Sequence, residues 1–304
     1  MLRVTHFRNF STGSAVIVLG AVVLFALGAC GSPPASSSAP TADARPAGSG
    51  SGAGAELPYR VVSYNIRHGR GMDGEIDLQR IAGVLDRLEP DLIGLQEVDS
   101  RATRSGEVDQ AAELGRLLEM HAAFGAFMPF QGGEYGMAIL SRHPLRSVNP
   151  VRLPGGNEPR IALAVEVMLP GGETIMAVNV HFDWVRDDGF RFAQASALAE
   201  WLRELEMPYV LLGDFNDQPG SRTLDLFHAL AGEAAKPTEE RFTFPSVEPD
   251  REIDFIFAAP RTRWRIGEAR VIDEQVASDH RPVVAELVLR PGDDTSREDR
   301  ARDD

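Results

Sequence analysis

Short apolar runs of strand length alternate with helix-period segments between residues 57 and 289. Several of the runs stop on a side chain able to do chemistry. The run beginning Val61-Val62 ends in Asn65, that beginning Leu92-Ile93 ends in Glu97, and that beginning Met176-Ala177 ends in His181. The run beginning Val210-Leu211 ends in Asp214 and Asn216, and Ser278-Asp279-His280 stands just before the final run. In open α/β sheets ligands gather beyond the carboxyl ends of strands. Endings of this kind therefore point into one crevice.

Strands are predicted over 60–66, 91–98, 136–141, 161–168, 174–182, 209–215, 254–258, 264–272 and 283–289. The turn Pro170-Gly171-Gly172 makes a hairpin of the fourth and fifth. Apolar residues at positions 78, 81, 84, 85 and 88 follow a helical spacing over 77–88. Further helices are predicted over 110–120, 190–205 and 222–230. This mixed order implies a single α/β domain over 57–290, with helices covering sheet faces. No internal repeat or linker interrupts it.

The ends have a different character. Arg3 and Arg8 precede an apolar run that stops at Leu27-Gly28-Ala29-Cys30. A membrane span takes about 20 apolar residues, so this run reads as an export signal over 1–30. Its last four residues resemble the lipobox of bacterial lipoproteins, which implies lipidation at Cys30 and anchoring to a membrane. Cys30 is also the single cysteine of the chain, so no intrachain disulfide is available. Residues 31–56 are Ser, Pro, Ala and Gly in the main and are expected to form a flexible tether. Residues 291–304 are expected to be a disordered charged tail.

The 304 residues carry 31 basic and 45 acidic side chains, a net charge of -14. Without Arg3 and Arg8, 29 basic side chains face 45 acidic ones, and the charge is -16. Such a balance weighs against a nonspecific nucleic-acid coat, while leaving room for a nuclease with a local basic groove. Lys236 is the single lysine among basic residues that are otherwise Arg, the residue suited to bidentate phosphate contacts.

The residue types at the strand ends narrow the reaction. Glu97, Asp279, Asp214 and Asn65 offer hard oxygen donors that suit Mg²⁺ or Mn²⁺. With one cysteine and no His-x-x-x-His spacing a zinc site has little support. The chain also lacks a Gly-rich phosphate loop and a Gly-x-Ser-x-Gly segment, which removes nucleotide motors and serine esterases. Metal-assisted hydrolysis, with His181 or His280 moving a proton, is left. Strand alternation sends Asp214 and Asn216 to one face and Phe215 to the other, although a plain turn would use Asp and Asn equally well. Asp254 could fix the tautomer of one histidine or simply begin a strand.

Taken in order, Tyr64-Asn65-Ile66, Gln96-Glu97-Val98, Asn179-Val180-His181, Gly213-Asp214-Phe215-Asn216, Ile253-Asp254-Phe255-Ile256 and Ser278-Asp279-His280 resemble the motifs of the endonuclease/exonuclease/phosphatase superfamily. The resemblance implies a four-layered α/β sandwich, the DNase I-like fold, in which two packed mixed sheets are flanked by helices. It also implies Mg²⁺-dependent in-line attack of water on phosphorus. Carried over by motif, Glu97 is the principal metal ligand, with Asn65 and Asp279 close to the metal. Asp214 orients or activates the water, and Asn216 binds the phosphoryl group. Asp254 polarises His280, and His181 protonates the leaving oxygen or stabilises its charge. Met137 stands where many relatives carry Asn, a departure from the family pattern that bears on a phosphate or leaving-group contact. Arg67, His68, Arg104, Arg142 and Arg160 are candidates to extend the substrate site.

The expected activity is that of an exported phosphodiesterase, monomeric and without a protein partner. A nuclease and a phospholipid or sphingolipid phosphodiesterase are the alternatives within the reaction class. A non-catalytic lipoprotein scaffold is the alternative outside it.

Overall fold

The computed structural model describes residues 58–292. The expected export signal with Cys30, the segment 31–56 and all but the first two residues of the tail lie outside the described residues. The chain order is β1 (Tyr59–Asn65), α1 (Leu78–Asp86), β2 (Leu92–Ser100), α2 (Gln110–Leu118), β3 (His121–Phe130), β4 (Gly133–Ser141), β5 (Leu145–Arg152) and β6 (Ile161–Met168). It continues through β7 (Thr174–His181), α3 (Gly189–Arg203), β8 (Tyr209–Asp214), α4 (Arg222–Leu230), β9 (Gly232–Glu233), β10 (Asp254–Ala259), β11 (Trp264–Val271) and β12 (Val283–Leu289). Among the described residues no helix is long and apolar enough to cross a membrane.

Two six-stranded mixed sheets form, one ordered β11-β12-β1-β2-β4-β3 and the other β5-β6-β7-β8-β10-β9. Period-two alternation gives each central strand two buried faces. Val61 joins the core between the sheets, with Leu92, Ile139, Leu163, Val165, Val210 and Leu212, whereas Val62 faces outward with Ile93 and Leu95 under α1 and α2. The outer face of the second sheet packs Val178, Leu211, Phe255 and Phe257 against α3 and α4. The layers are therefore helix, sheet, sheet, helix, as the family resemblance implied. Burying each Leu, Ile, Val or Phe contributes about 1.5–3 kcal/mol relative to exposure, and the three clusters consist mostly of such residues.

Three of the four α-helices begin where a side chain satisfies a free N–H group. Asp77 caps α1 by accepting from Arg80 N, Asp109 caps α2 by accepting from Ala112 N, and Ser221 caps α4 by accepting from Leu224 N.

Three strands are absent from the expected set, namely β3, β5 and β9. The segment 124–130 falls in β3 at the edge of the first sheet, where Phe127 is buried and packs edge-on against Tyr135 with centroids 4.8 Å apart. Met137 is fully buried in the core between the sheets.

Candidate active site

Strand register assembles the centre of the site. β7 pairs parallel with β8 so that His181 lies opposite Asp214, and β10 pairs antiparallel with β8 so that Asp254 lies opposite Asp214. Three residues far apart in sequence thus stand in one row across three strands. Gly213 makes the approach of β7 feasible. It has φ 148°, and a Cβ there would sit 2.1 Å from the Val180 carbonyl oxygen. Only glycine tolerates that combination.

The remaining groups arrive from the other sheet. β1 and β2 run parallel with Asn65 opposite Gln96, and Asn65 Nδ2 donates to Glu97 Oε1 at 3.3 Å and to Asp214 Oδ2 at 3.1 Å. Glu97 is the extra residue of a β-bulge between Gln96 and Val98, with φ 57°. A bulge re-aims a side chain that regular pleating would send elsewhere, and a non-glycine residue in the left-handed region stores backbone strain. Ser278 Oγ donates to the Asn65 carbonyl at 2.7 Å and so fixes the Ser-Asp-His segment against the end of β1. Glu97, His181, Asp214, Asn216, Asp279 and His280 all line one cavity of about 320 Å³. Asn65 and Asp254 stand behind it, bonded to these groups.

The electrostatics separate the two histidines. His280 Nδ1 donates to Asp254 Oδ2 at 3.0 Å, while its Nε2 lies 3.6 Å from Asp214 Oδ2. Burial alone would lower its pKa, but Asp254 and Asp214 outweigh burial and hold it up at about 10, so the ring is an imidazolium at neutral pH. His181 is driven well below its ordinary value by burial, with Arg160 and His280 adding to the effect, so this ring is neutral. Its Nε2 lies 3.6 Å from Asp214 Oδ2. Burial pushes the Asp214 carboxyl up to about 7; His280 opposes the rise and Asp254 adds to it. Asp214 Oδ1 accepts from the Asn216 backbone N–H at 2.9 Å, and the Asn216 amide donates to the Phe182 carbonyl at 3.0 Å. That leaves one amide N–H of Asn216 for a substrate oxygen.

Whether a divalent cation fits is decided by the donors. Burial raises the pKa of the Glu97 carboxyl, and the nearby Asp279 raises it further. Two carboxylates that repel each other in one cavity, with Asn65 bonded to Glu97 from behind it, are a donor set for a hard cation. Asp214, Asp254 and His280 also bring one ligand atom each within 4.8 Å of one another, and by distance this trio could hold a cation as well. An imidazolium, however, has no lone pair to give.

Among the arginines expected near the substrate, Arg160 lines the cavity and Arg67 reaches Asp279 at 3.4 Å. Arg104 is held by Asp99 through two bonds of 2.8 Å, and Arg142 donates to the Pro90 carbonyl at 2.6 Å. Neither lines the cavity, nor does His68, whose pKa burial lowers to about 4. Sequence reasoning missed Trp184, Glu158, Phe244 and Arg251 in the lining, because a loop residue carries no periodic signal.

It also missed the clamp behind the site. Asn179 Nδ2, on β7, donates to the Leu95 and Ala138 carbonyls of the other sheet, each at 2.9 Å, and Gln96 Nε2 donates to Asn179 Oδ1 at 2.7 Å. Replacing Asn179 with Ala strips two buried carbonyls of their donor at about 1–3 kcal/mol each. The variant should lose about 2–5 kcal/mol of stability in urea unfolding, and a loss under about 1 kcal/mol would show that the clamp is not structural.

The Endonuclease/Exonuclease/phosphatase family matches residues 62–280. Among solved structures, the endonuclease/exonuclease/phosphatase from Beutenbergia cavernae is 26% identical with a TM-score of 0.65, over 76% of this chain and 72% of that one. The corresponding protein from Bacteroides vulgatus is 23% identical with a TM-score of 0.65, over 77% of this chain and 100% of that one. A mannosyl-6-phosphatase from Bacteroides thetaiotaomicron is 19% identical with a TM-score of 0.62, over 76% of this chain and 100% of that one. No curated protein matches the sequence significantly. On the span of the match and the fold, the chain belongs to the endonuclease/exonuclease/phosphatase family, whose members hydrolyse phosphoester bonds, generally with a divalent metal.

Proposed function

We propose that this protein is a Mg²⁺- or Mn²⁺-dependent phosphodiesterase that works outside the cytoplasm, held to a membrane by a lipid on Cys30. The observation that carries the catalytic part is the placing of Asp214 between two histidines of opposite protonation, each with Nε2 at 3.6 Å. The membrane part is supported by Leu27-Gly28-Ala29-Cys30 following an apolar run with basic residues before it.

Glu97 and Asp279, with Asn65 beside them, would hold the metal, which when bound neutralises charge on the phosphoryl group. Asp214 takes the proton of the attacking water, a task suited to a carboxyl raised towards neutral pH. Asn216 holds a phosphoryl oxygen through its free N–H. His280, kept charged by Asp254, opposes the negative charge that builds on the phosphoryl oxygens. His181, being neutral, donates a hydrogen bond to the leaving oxygen and stabilises its charge. The charge of -16 that is left without Arg3 and Arg8 disfavours a long nucleic acid as substrate.

The test is hydrolysis of bis-p-nitrophenyl phosphate, p-nitrophenyl phosphate, DNA and sphingomyelin with Mg²⁺ or Mn²⁺. The diester bis-p-nitrophenyl phosphate should be cleaved faster than the monoester. A monoester preference would overturn the phosphodiesterase assignment. Processive loss of DNA would make the protein a nuclease, and preference for sphingomyelin would make it a lipid phosphodiesterase. If the folded, metal-bound protein turned over none of the four, a binding scaffold would be the better reading.

A further inference from the structure

The same cavity contains a group that the reaction above does not use. Arg160 is 3% exposed, and its Nη2 pairs with Glu158 Oε2 at 2.9 Å. Its Nε and Nη1 are buried without a hydrogen-bond partner among the described residues. The guanidinium lies over the Phe127 ring at 4.9 Å. A charged donor left unsatisfied in the interior is costly, and this one lines the cavity, where an incoming anion would satisfy it.

A second observation comes from the cavity mouth. Trp184 is 60% exposed, yet its loop is firmly tied. Asp183 accepts from Asn157 N at 2.6 Å and from Val185 N at 3.2 Å, and Arg191 Nη1 donates to the carbonyls of Asp183 and Val185 at 3.0 and 3.1 Å. An indole presented to solvent on a rigid loop, beside buried unpaired donors, is a flat surface for a ring.

We propose that Arg160 and Trp184 form a specificity subsite for a small nucleotide-like phosphodiester, with Trp184 stacking on its base and Arg160 binding a second anionic group of the same molecule. The proposal rests on the phosphoester-hydrolase reading and names the substrate class for that site. The cavity of about 320 Å³ suits a small molecule, and one subsite arginine answers one additional charge.

The experiment compares the p-nitrophenyl ester of thymidine 5′-phosphate with and without a 3′-phosphate, using the intact protein and its Arg160→Gln, Arg160→Lys and Trp184→Ala variants. In the unaltered protein the 3′-phosphate should lower KM about tenfold. Arg160→Gln should bring that ratio towards one, Arg160→Lys should restore part of it, and Trp184→Ala should raise KM for both nucleoside esters relative to bis-p-nitrophenyl phosphate. Equal losses on every substrate would mean that Arg160 serves only the fold or the scissile phosphate, and would overturn the subsite. Binding of thymidine 3′,5′-bisphosphate by calorimetry separates this from a failure of the hydrolase reading. It should weaken about tenfold in Arg160→Gln whether or not any ester is cleaved, and unchanged binding would overturn the subsite on its own.

Discussion

Asp214→Asn should lower kcat/KM for a phosphodiester by about 10²–10⁴-fold while leaving the fold intact, because an amide of the same shape can orient water but cannot take its proton. The substituted side chain keeps one of its two acceptors: its oxygen can take the Asn216 backbone N–H that Oδ1 accepts, while its amide NH2 meets the Asn65 Nδ2 that Oδ2 accepts, so the melting temperature is measured beside the rate. The pH profile is the second readout. A base acts in its ionised form, so activity should rise with pH through the Asp214 pKa. Burial sets that pKa at about 7 in the protein alone. A cation bound close by favours the carboxylate and pulls the midpoint down, so the limb should lie at or below about 7 with metal present. Asp214→Asn should abolish the limb. A variant with full activity and the same limb would remove Asp214 from the base role.

Glu97→Gln should weaken Mn²⁺ binding by about 10–100-fold or more, read by calorimetry or electron paramagnetic resonance independently of turnover. Its effect on stability runs in the opposite sense. Burial raises the folded pKa of Glu97, with Asp279 adding to the rise. For a carboxyl raised on folding, the ionised form is disfavoured in the folded state, and stability is lost as pH climbs above the unfolded pKa. At neutral pH the uncharged Gln should therefore melt at or above the temperature of the metal-free protein. Saturating Mn²⁺ should raise the melting temperature of the original protein, by an amount corresponding to about 2.7 kcal/mol at a hundred times Kd, and at the same concentration raise that of the variant by the equivalent of about 1.4 kcal/mol or less. A variant that melts lower and still binds Mn²⁺ tightly would show that Glu97 is a structural residue.

The sandwich was legible because its central strands are apolar on both faces. Val61, Val62, Leu92, Ile93, Leu211 and Leu212 are fully buried, and runs of that kind stand out against their polar flanks. β5 was invisible for the opposite reason. Its residues are mostly exposed and it is held by main-chain pairing to β6, which leaves no hydrophobic pattern to read. β3 mixes Ala, Gly and Pro with aromatics along an edge, and that blurs its period.

In the site, the residue types at strand ends were readable, but their relations were not. The row His181, Asp214, Asp254 exists because of strand register, which depends on pairing partners far away in sequence. The bulge that turns Glu97 into the cavity is a backbone conformation without a sequence signature of its own. The different protonation of His181 and His280 follows from burial, which lowers both rings, and from the carboxylates of Asp254 and Asp214, which overcome it at His280. Arg160, one arginine among many in the sequence, is set apart by being 3% exposed with two donors unpaired, where Arg60, Arg80 and Arg241 each have one.

The most direct measurement is the rate of bis-p-nitrophenyl phosphate hydrolysis by the chelator-treated protein, before and after Mn²⁺ is added back. No rate above background is expected without metal, with a saturable recovery on adding Mn²⁺ and no recovery in His280→Ala or Glu97→Gln. Full activity in the presence of chelator, or recovery that survives both substitutions, would contradict the assignment of this crevice as a metal-dependent phosphoester hydrolase site.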